Sequence, residues 1–232
     1  MLRLDKIEHI FFDLDHTLWD FEKNSALTFE YLLSKHSIAI PLDRFLEVYI
    51  PLNREYWKRY RLGEFTAEEL RFVRLEDVFS RLSYGISREQ INLLAEGYIE
   101  HLSTHPHLME GAVEVLDFLK PRFPMHILTN GFTRIQQRKI ENSGLSGYFD
   151  HVIDAEYVGV KKPDPEIFLH AEKLVQANGE SILMIGDDLE ADILGAEERG
   201  WQSIHLLENE AEKPQKGPQI RSLYEIKQLF SS

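Results

Sequence analysis

The chain contains no cysteine among its 232 residues. That excludes a disulfide framework, a thiolate metal site and a cysteine nucleophile. No apolar run approaches the ~20 residues that a membrane-spanning helix needs. Met1 to Glu8 carries charges rather than an apolar leader-type segment, so a cytoplasmic setting away from membranes is expected. Positive charge is also scarce. Only 26 Lys and Arg stand against 39 Asp and Glu, a formal net charge of −13. This balance argues against binding a nucleic acid polymer through a basic surface. It does not argue against an anionic small substrate, because screening over ~8 Å makes local charge count for more than the total. Apolar material is plentiful: hydrophobic residues make up 43% of the chain, with 14 Phe and 9 Tyr, enough for a sizeable core.

The apolar residues fall into two patterns. Short runs end abruptly at polar residues: His9 to Asp15, Met125 to Leu128 before Thr129-Asn130-Gly131, Val152-Ile153 before Asp154, and Ile182 to Ile185 before Gly186-Asp187-Asp188. A last run spans Ser203 to Leu207. Such runs read as strands buried on both faces of a parallel sheet. Helical patterns separate them, around Val113 to Lys120, Phe132 to Asn142, Ile167 to Val175 and Leu189 to Arg199. The alternation predicts an α/β fold with a Rossmann-like, doubly wound parallel sheet. Residues 21–104 differ, with amphipathic stretches at Ala26–His36, Arg44–Arg61, Ala67–Leu82 and Arg88–Leu102 and no clear strand. They predict an inserted helical cap domain, leaving a discontinuous core of residues 1–20 and 105–232. Asn209 to Pro218 reads as a surface loop before a short final helix around Leu223 to Phe230.

Ligands of an open parallel sheet bind beyond the carboxyl ends of its strands. Asp13, Asp15, Thr129, Asn130, Gly131, Asp187 and Asp188 would converge there, with Lys161-Lys162 in the loop after the Val152-Ile153 strand. Asp13 with Asp187 makes an oxygen-only site suited to Mg²⁺. A carboxylate in line with phosphorus can act as a nucleophile and form an aspartyl-phosphate. A second carboxyl, Asp15, could protonate the leaving oxygen and then deprotonate water. Thr129 could donate its hydroxyl to a phosphoryl oxygen, with backbone N–H groups around Asn130 and Gly131 assisting. A lysine would offset the carboxylates. Each piece alone reads as a turn, a helix cap or a solvated charge. Their joint occurrence in this order, each after an apolar strand, carries the chemistry.

These residues resemble the four motifs of the haloacid dehalogenase-like (HAD) hydrolase superfamily, in its branch with a helical cap (subfamily I). Phe11 to Leu18 is similar to the first motif, hydrophobic residues followed by D-x-D-x-T, and Ile127 to Gly131 to the second. Gly159 to Phe168 resembles the lysine motif, and Met184 to Ala196 the last. The resemblance implies Asp13 as nucleophile, Asp15 as acid/base, and Lys162, which directly precedes Pro163, as the lysine. It implies phosphate contacts from Thr129, Asn130 and Lys162. Mg²⁺ is implied at Asp13, the Asp15 carbonyl and Asp187, with Thr17, Gly131, Asp188 and Asp192 in support. Whether Asp188 or Asp192 joins the metal's surroundings stays open. Having an acid at Asp15 favours a phosphate ester over a haloacid, and Thr17 stands where phosphoglucomutase-like members commonly have Gly. Trp57 to Arg74 is similar to the cap of bacterial pyrimidine 5′-nucleotidase-like members.

The resemblance therefore implies a Mg²⁺-dependent phosphatase acting on a small phosphorylated metabolite, with a nucleoside 5′-monophosphate first in line. Phosphoglycolate or sugar-phosphate hydrolysis, a phosphomutase and a non-catalytic binding protein are the alternatives. Trp19 and Phe21, just beyond the first strand, are candidates for substrate contact. Arg54, Arg61, Arg71 and Arg74 read mostly as solvated helix charges, one of which could close over the leaving group.

Overall fold

The computed structural model describes residues 2–207 and 217–231. Most of the expected Asn209–Pro218 loop lies outside the described residues. By internal contacts the chain divides into two compact units, Met1–Phe21 with Pro106–Ser232, and Glu22–His105.

The first unit holds a parallel sheet of six strands: β1 (His9–Phe12), β2 (Met125–Thr129), β3 (His151–Asp154), β4 (Ile182–Gly186), β5 (Gln202–Leu206) and β6 (Gln219–Ile220). Their order is β3-β2-β1-β4-β5-β6. Phe12 of β1 lies opposite Ile127 of β2 and Ile185 of β4, so the first strand is paired on both sides. Every residue of β2 and β4 is buried, which is why these strands read as unbroken apolar runs rather than alternations. On one face Phe11, Leu128 and Met184 pack against Ile167, Phe168 and Ala171 of α8 (Pro165–Val175) and Ala196 of α9 (Gly195–Glu198). Each of the larger side chains among them contributes roughly 1.5–3 kcal/mol by leaving water. The other helices of this unit are α5 (Ala112–Leu119), α6 (Thr133–Asn142), α7 (Ala155–Val158) and α10 (Tyr224–Leu229).

β1 stops at Phe12, where the acids begin, and Asp13 to Asp15 lie beyond it. The structure departs from the sequence reading at two places in this unit. The stretch from Leu189 is a π-helical turn, Leu189–Leu194, that passes into the short α9. β6 has no counterpart in the sequence pattern, because two residues pairing only with β5 leave no periodicity to read.

The second unit contains α2 (Leu42–Arg61), α3 (Ala67–Arg81), α4 (Arg88–His101) and all but the first residue of α1 (Phe21–Lys35). Two helices start on capping boxes, Thr66 with Glu69 and Ser87 with Gln90, each satisfying N–H groups that a helix start leaves unpaired. Rings of Phe29, Phe45, Tyr49, Phe79 and Tyr98 form its interior. α1 begins five residues before the expected Ala26. Its early residues Asn24, Ser25 and Thr28 are polar but buried, which hides the helical period. Arg74 corrects the sequence reading. It is buried, donating to Asn53 Oδ1 at 2.6 Å, with its guanidinium 5.0 Å from the Tyr98 ring centre. No helix among the described residues is long and apolar enough to cross a membrane.

At the starts of β1, β2 and β3 three imidazoles form a row. His126 is buried, 3.1 Å from His9 through Nε2 and Nδ1, and stacked on His151 at 5.2 Å between centres. Burial, reinforced by His9 and His151, pushes His126 down to about 3. Its folded pKa thus lies below the unfolded value of ~6.5, so stability is lost as pH falls from about 6.5 toward 3. Urea unfolding across that window should show His126→Phe losing less stability on acidification, by up to about 1.4 kcal/mol per pH unit. Parallel curves for the two proteins would contradict the assignment.

Candidate active site

The strand order reverses between β1 and β4, the point where an open α/β sheet leaves a crevice beyond its carboxyl ends. Asp13 follows β1 and donates its N–H to the Ile185 carbonyl at 2.9 Å. Asp187 follows β4, and Thr17 donates its hydroxyl to Asp187 Oδ1 at 3.0 Å. His205 on β5 fixes the same residue from behind. A carbonyl can only accept, so His205 Nε2 donates to the Asp187 oxygen at 2.8 Å. Between Asp13 and Thr17 the chain reverses through His16, whose φ of 65° is left-handed. Trp19 N–H closes this turn onto the Leu14 carbonyl at 2.8 Å.

Lys162 lies at the centre, its side chain 2% exposed. Its Nζ is 2.6 Å from Asp13 Oδ1, 2.6 Å from Asp192 Oδ1 and 2.5 Å from the Leu128 carbonyl. Burial pushes the Asp13 carboxyl up to about 7, against the pull of Lys162. Burial raises Asp192 too, again opposed by Lys162. The lysine is disfavoured by burial, yet the two carboxylates outweigh that and hold its pKa above the ordinary lysine value. Of the Lys161-Lys162 pair, it is the backbone of Lys162 that the site grips. Asn130 Nδ2 donates to the Lys162 carbonyl at 2.9 Å, and Lys162 N–H donates to Asn130 Oδ1 at 2.7 Å. The Asn130 side chain therefore holds the lysine's backbone.

Asp13, Asp187 and Asp192 each offer a carboxylate oxygen, all within 4.8 Å of one another. An oxygen-only set of this kind fits a hard cation such as Mg²⁺. Asp13 and Asp192 both pair with Lys162 at 2.6 Å, so that pairing does not choose between them. Asp188 plays a different part. Its Oδ1 accepts from the N–H groups of Glu190 and Ala191, at 3.0 and 2.9 Å, capping the turn that follows. That turn places Asp192, whose Oδ2 accepts from Asp188 N–H at 3.1 Å. A side chain on Gly186 would collide with the Asp192 carboxylate, so glycine there is a condition of the ion pair.

Asp15 is held by two residues that the sequence reading missed, Lys139 and Gln136 of α6. Lys139 Nζ is 2.6 Å from Asp15 Oδ1, and Gln136 Nε2 donates to Asp15 Oδ2 at 2.9 Å. Gln136 Nε2 also lies 2.8 Å from Thr129 Oγ1, which accepts from Gly131 N–H at 3.2 Å as well. With two donors on its oxygen, the Thr129 hydroxyl hydrogen is directed to a third partner. A Cβ on Gly131 would run into Gln136. The signal lay in helical spacing: residues 136 and 139 fall on the same inward face as Ile135 and Ile140. Trp19 and Phe21 are buried, with ring centres 4.3 and 5.5 Å from Lys139 Nζ. The two aromatics cover this lysine rather than stand open to a substrate.

The sequence profile of haloacid dehalogenase-like hydrolases matches residues 7–200. Among curated proteins, the chain is 34% identical to pyrimidine 5′-nucleotidase PynA of Streptococcus pneumoniae over 209 residues, spanning 86% of this chain and 85% of PynA. It is 32% identical to pyrimidine 5′-nucleotidase YjjG of Escherichia coli over 229 residues, spanning 97% of this chain and 98% of YjjG. Its fold is similar to the magnesium-bound crystal structure of the HAD-hydrolase YfnB of Bacillus subtilis. That match has a TM-score of 0.87 and 27% identity, covering 98% of this chain and 100% of the other.

Replacing Lys162 by Met would strand two buried carboxyls without their cation. Their folded pKa values would then stand further above the unfolded value, so stability persists at low pH and falls as pH rises through the folded values. With chelator present, the variant should lose roughly 3–5 kcal/mol at about pH 8 and much less at about pH 5 by urea unfolding. An equal loss at both would contradict a buried ion-paired site.

Proposed function

The chain belongs to the haloacid dehalogenase-like hydrolase family, and from that premise we propose that it is a Mg²⁺-dependent phosphatase of nucleoside 5′-monophosphates, pyrimidine nucleotides first among them. The observation that carries the reading is the pair of carboxyls on one turn, Asp13 and Asp15, each held by its own buried lysine. One is set as nucleophile and the other as proton carrier. The similarity to two pyrimidine 5′-nucleotidases supports the nucleotide over a sugar phosphate or phosphoglycolate. In this reading residues 21–104 act as cap, and 1–20 with 105–232 as catalytic core.

Asp13 attacks phosphorus, and the bond to the leaving oxygen breaks as Asp15 delivers a proton to it. The phosphoryl group is then an acyl phosphate on Asp13. Asp15, now a carboxylate, takes a proton from water, which attacks phosphorus and releases Asp13. Thr129 donates its hydroxyl to a phosphoryl oxygen throughout. Lys162 neutralises Asp13 on approach and spreads charge in the transition state. Thr17 holds Asp187 in place, and Asp192 and Asn130 hold Lys162. When bound at Asp13, the Asp15 carbonyl and Asp187, Mg²⁺ supplies positive charge that favours ionised Asp13 and offsets the phosphate's oxygens.

The test is phosphate release from nucleotides, sugar phosphates and phosphoglycolate, with Mg²⁺ or chelator. Asp13→Asn should fold normally and lose at least about 10³-fold in turnover. Substantial release by that variant would overturn the nucleophile, and a phosphoryl group returned to another hydroxyl would mark a mutase. Since Asp13 must lose its proton to bind a cation, apparent Mg²⁺ affinity measured by thermal shift should weaken up to about tenfold per pH unit below about pH 7. Asp13→Asn should abolish that dependence.

A further inference from the structure

We infer that Lys139 and Gln136 are positioning residues for Asp15, together fixing the carboxyl that carries the proton. The inference rests on the reading of Asp15 as acid/base.

Asp15 sits on a turn beyond the end of β1 rather than in the sheet, so the strand ladder does not hold it. Its side chain is 23% exposed, while that of Lys139 is 3% exposed. A carboxyl serving twice in one cycle must reach the departing oxygen and later the incoming water from one position. A misplacement near 1 Å can cost about 10²-fold in rate. The two residues supply what the turn lacks. Lys139 takes one oxygen and Gln136 the other, at 2.6 and 2.9 Å. Both lie on α6, three residues apart and on one face.

Burying an ammonium is costly unless it is paired and well placed. Lys139 loses part of its basicity to burial, with Asp15 working against that loss. The faces of Trp19 and Phe21 close over it and fix its head. Trp19 is itself anchored, its Nε1 donating to Ser143 Oγ at 3.1 Å just past α6. Gln136 adds a second function. Through Nε2 it joins Asp15 Oδ2 to Thr129 Oγ1, so proton carrier and phosphate-binding hydroxyl are set by one amide. A lysine serving only to balance charge would need neither the aromatic cover nor the glutamine.

The experiment compares Lys139→Met and Gln136→Met with wild type and Asp15→Asn, on uridine 5′-monophosphate and p-nitrophenyl phosphate. The first has an alkoxide leaving group that needs a proton, and the second a phenoxide that does not. For uridine 5′-monophosphate both Met variants should lose roughly 10–100-fold in kcat, with KM changed less than about threefold. With p-nitrophenyl phosphate they should keep a rapid burst near one nitrophenol per enzyme, followed by slow turnover. Asp15→Asn should show the same split more strongly. If Asp15→Asn does so and the Met variants stay within about threefold of wild type, the positioning role is overturned and the reading of Asp15 stands. Should Asp15→Asn retain uridine 5′-monophosphate turnover, the acid/base reading itself fails. Equal loss of burst and turnover in the Met variants would mean a merely structural role and would also overturn the inference. If one Met variant does not melt cooperatively, the other decides.

Discussion

A single buried ammonium, that of Lys162, sets the terms for the catalytic end of the sheet. It lies between two carboxylates that could not both stay ionised without it, and it donates a third hydrogen bond to the Leu128 carbonyl. Removing one partner from such an arrangement leaves an uncompensated charge, whereas the complete set is tolerated. Much of the surrounding chain follows from keeping it complete. Asn130 grips the backbone of Lys162, Asp188 caps the turn that brings Asp192 inward, and Gly186 leaves room for the Asp192 carboxylate. Residues that look independent in the sequence are thus coupled through one point charge.

Asp15 repeats the arrangement on a smaller scale. It too faces a buried lysine, but the contact is partly exposed and shared with an amide. The two aspartates are two residues apart, yet they are solvated differently and held by different helical or loop segments. Separate environments are what allow two chemically identical side chains to take different roles.

The strands were legible because full burial on both faces writes itself into composition, and strand ends follow from where apolar runs stop. Asp13, Thr129 and Asp187 could be placed near one another on that basis, since backbone position alone decides it. Lys139 and Gln136 could not be found so simply, because their role depends on the face of α6 they occupy. A lysine on a helix is ordinarily read as solvated. Arg74 escapes a sequence reading for the same reason, its charge lying among rings and an asparagine rather than in water. For Asp188 the sequence does not show that its Oδ1 caps the following turn, because that depends on where the backbone places the N–H groups of Glu190 and Ala191. The early start of α1 is masked by buried polar residues, one of which, Thr28, bonds back to the Asn24 carbonyl at 2.7 Å.

The order of strands has a consequence for how the molecule is made. β1 is finished within the first dozen residues, but its neighbours are β2, more than a hundred residues later, and β4, later still. During synthesis the helical segment of residues 22–105 emerges as a contiguous stretch before either neighbour exists. Closing loops of that length is slow, and the nascent first strand must wait with apolar side chains and both edges exposed. The Asp13–Lys162–Asp192 charges meet only once Asp192 has been made, 179 residues after Asp13, so the site is completed late.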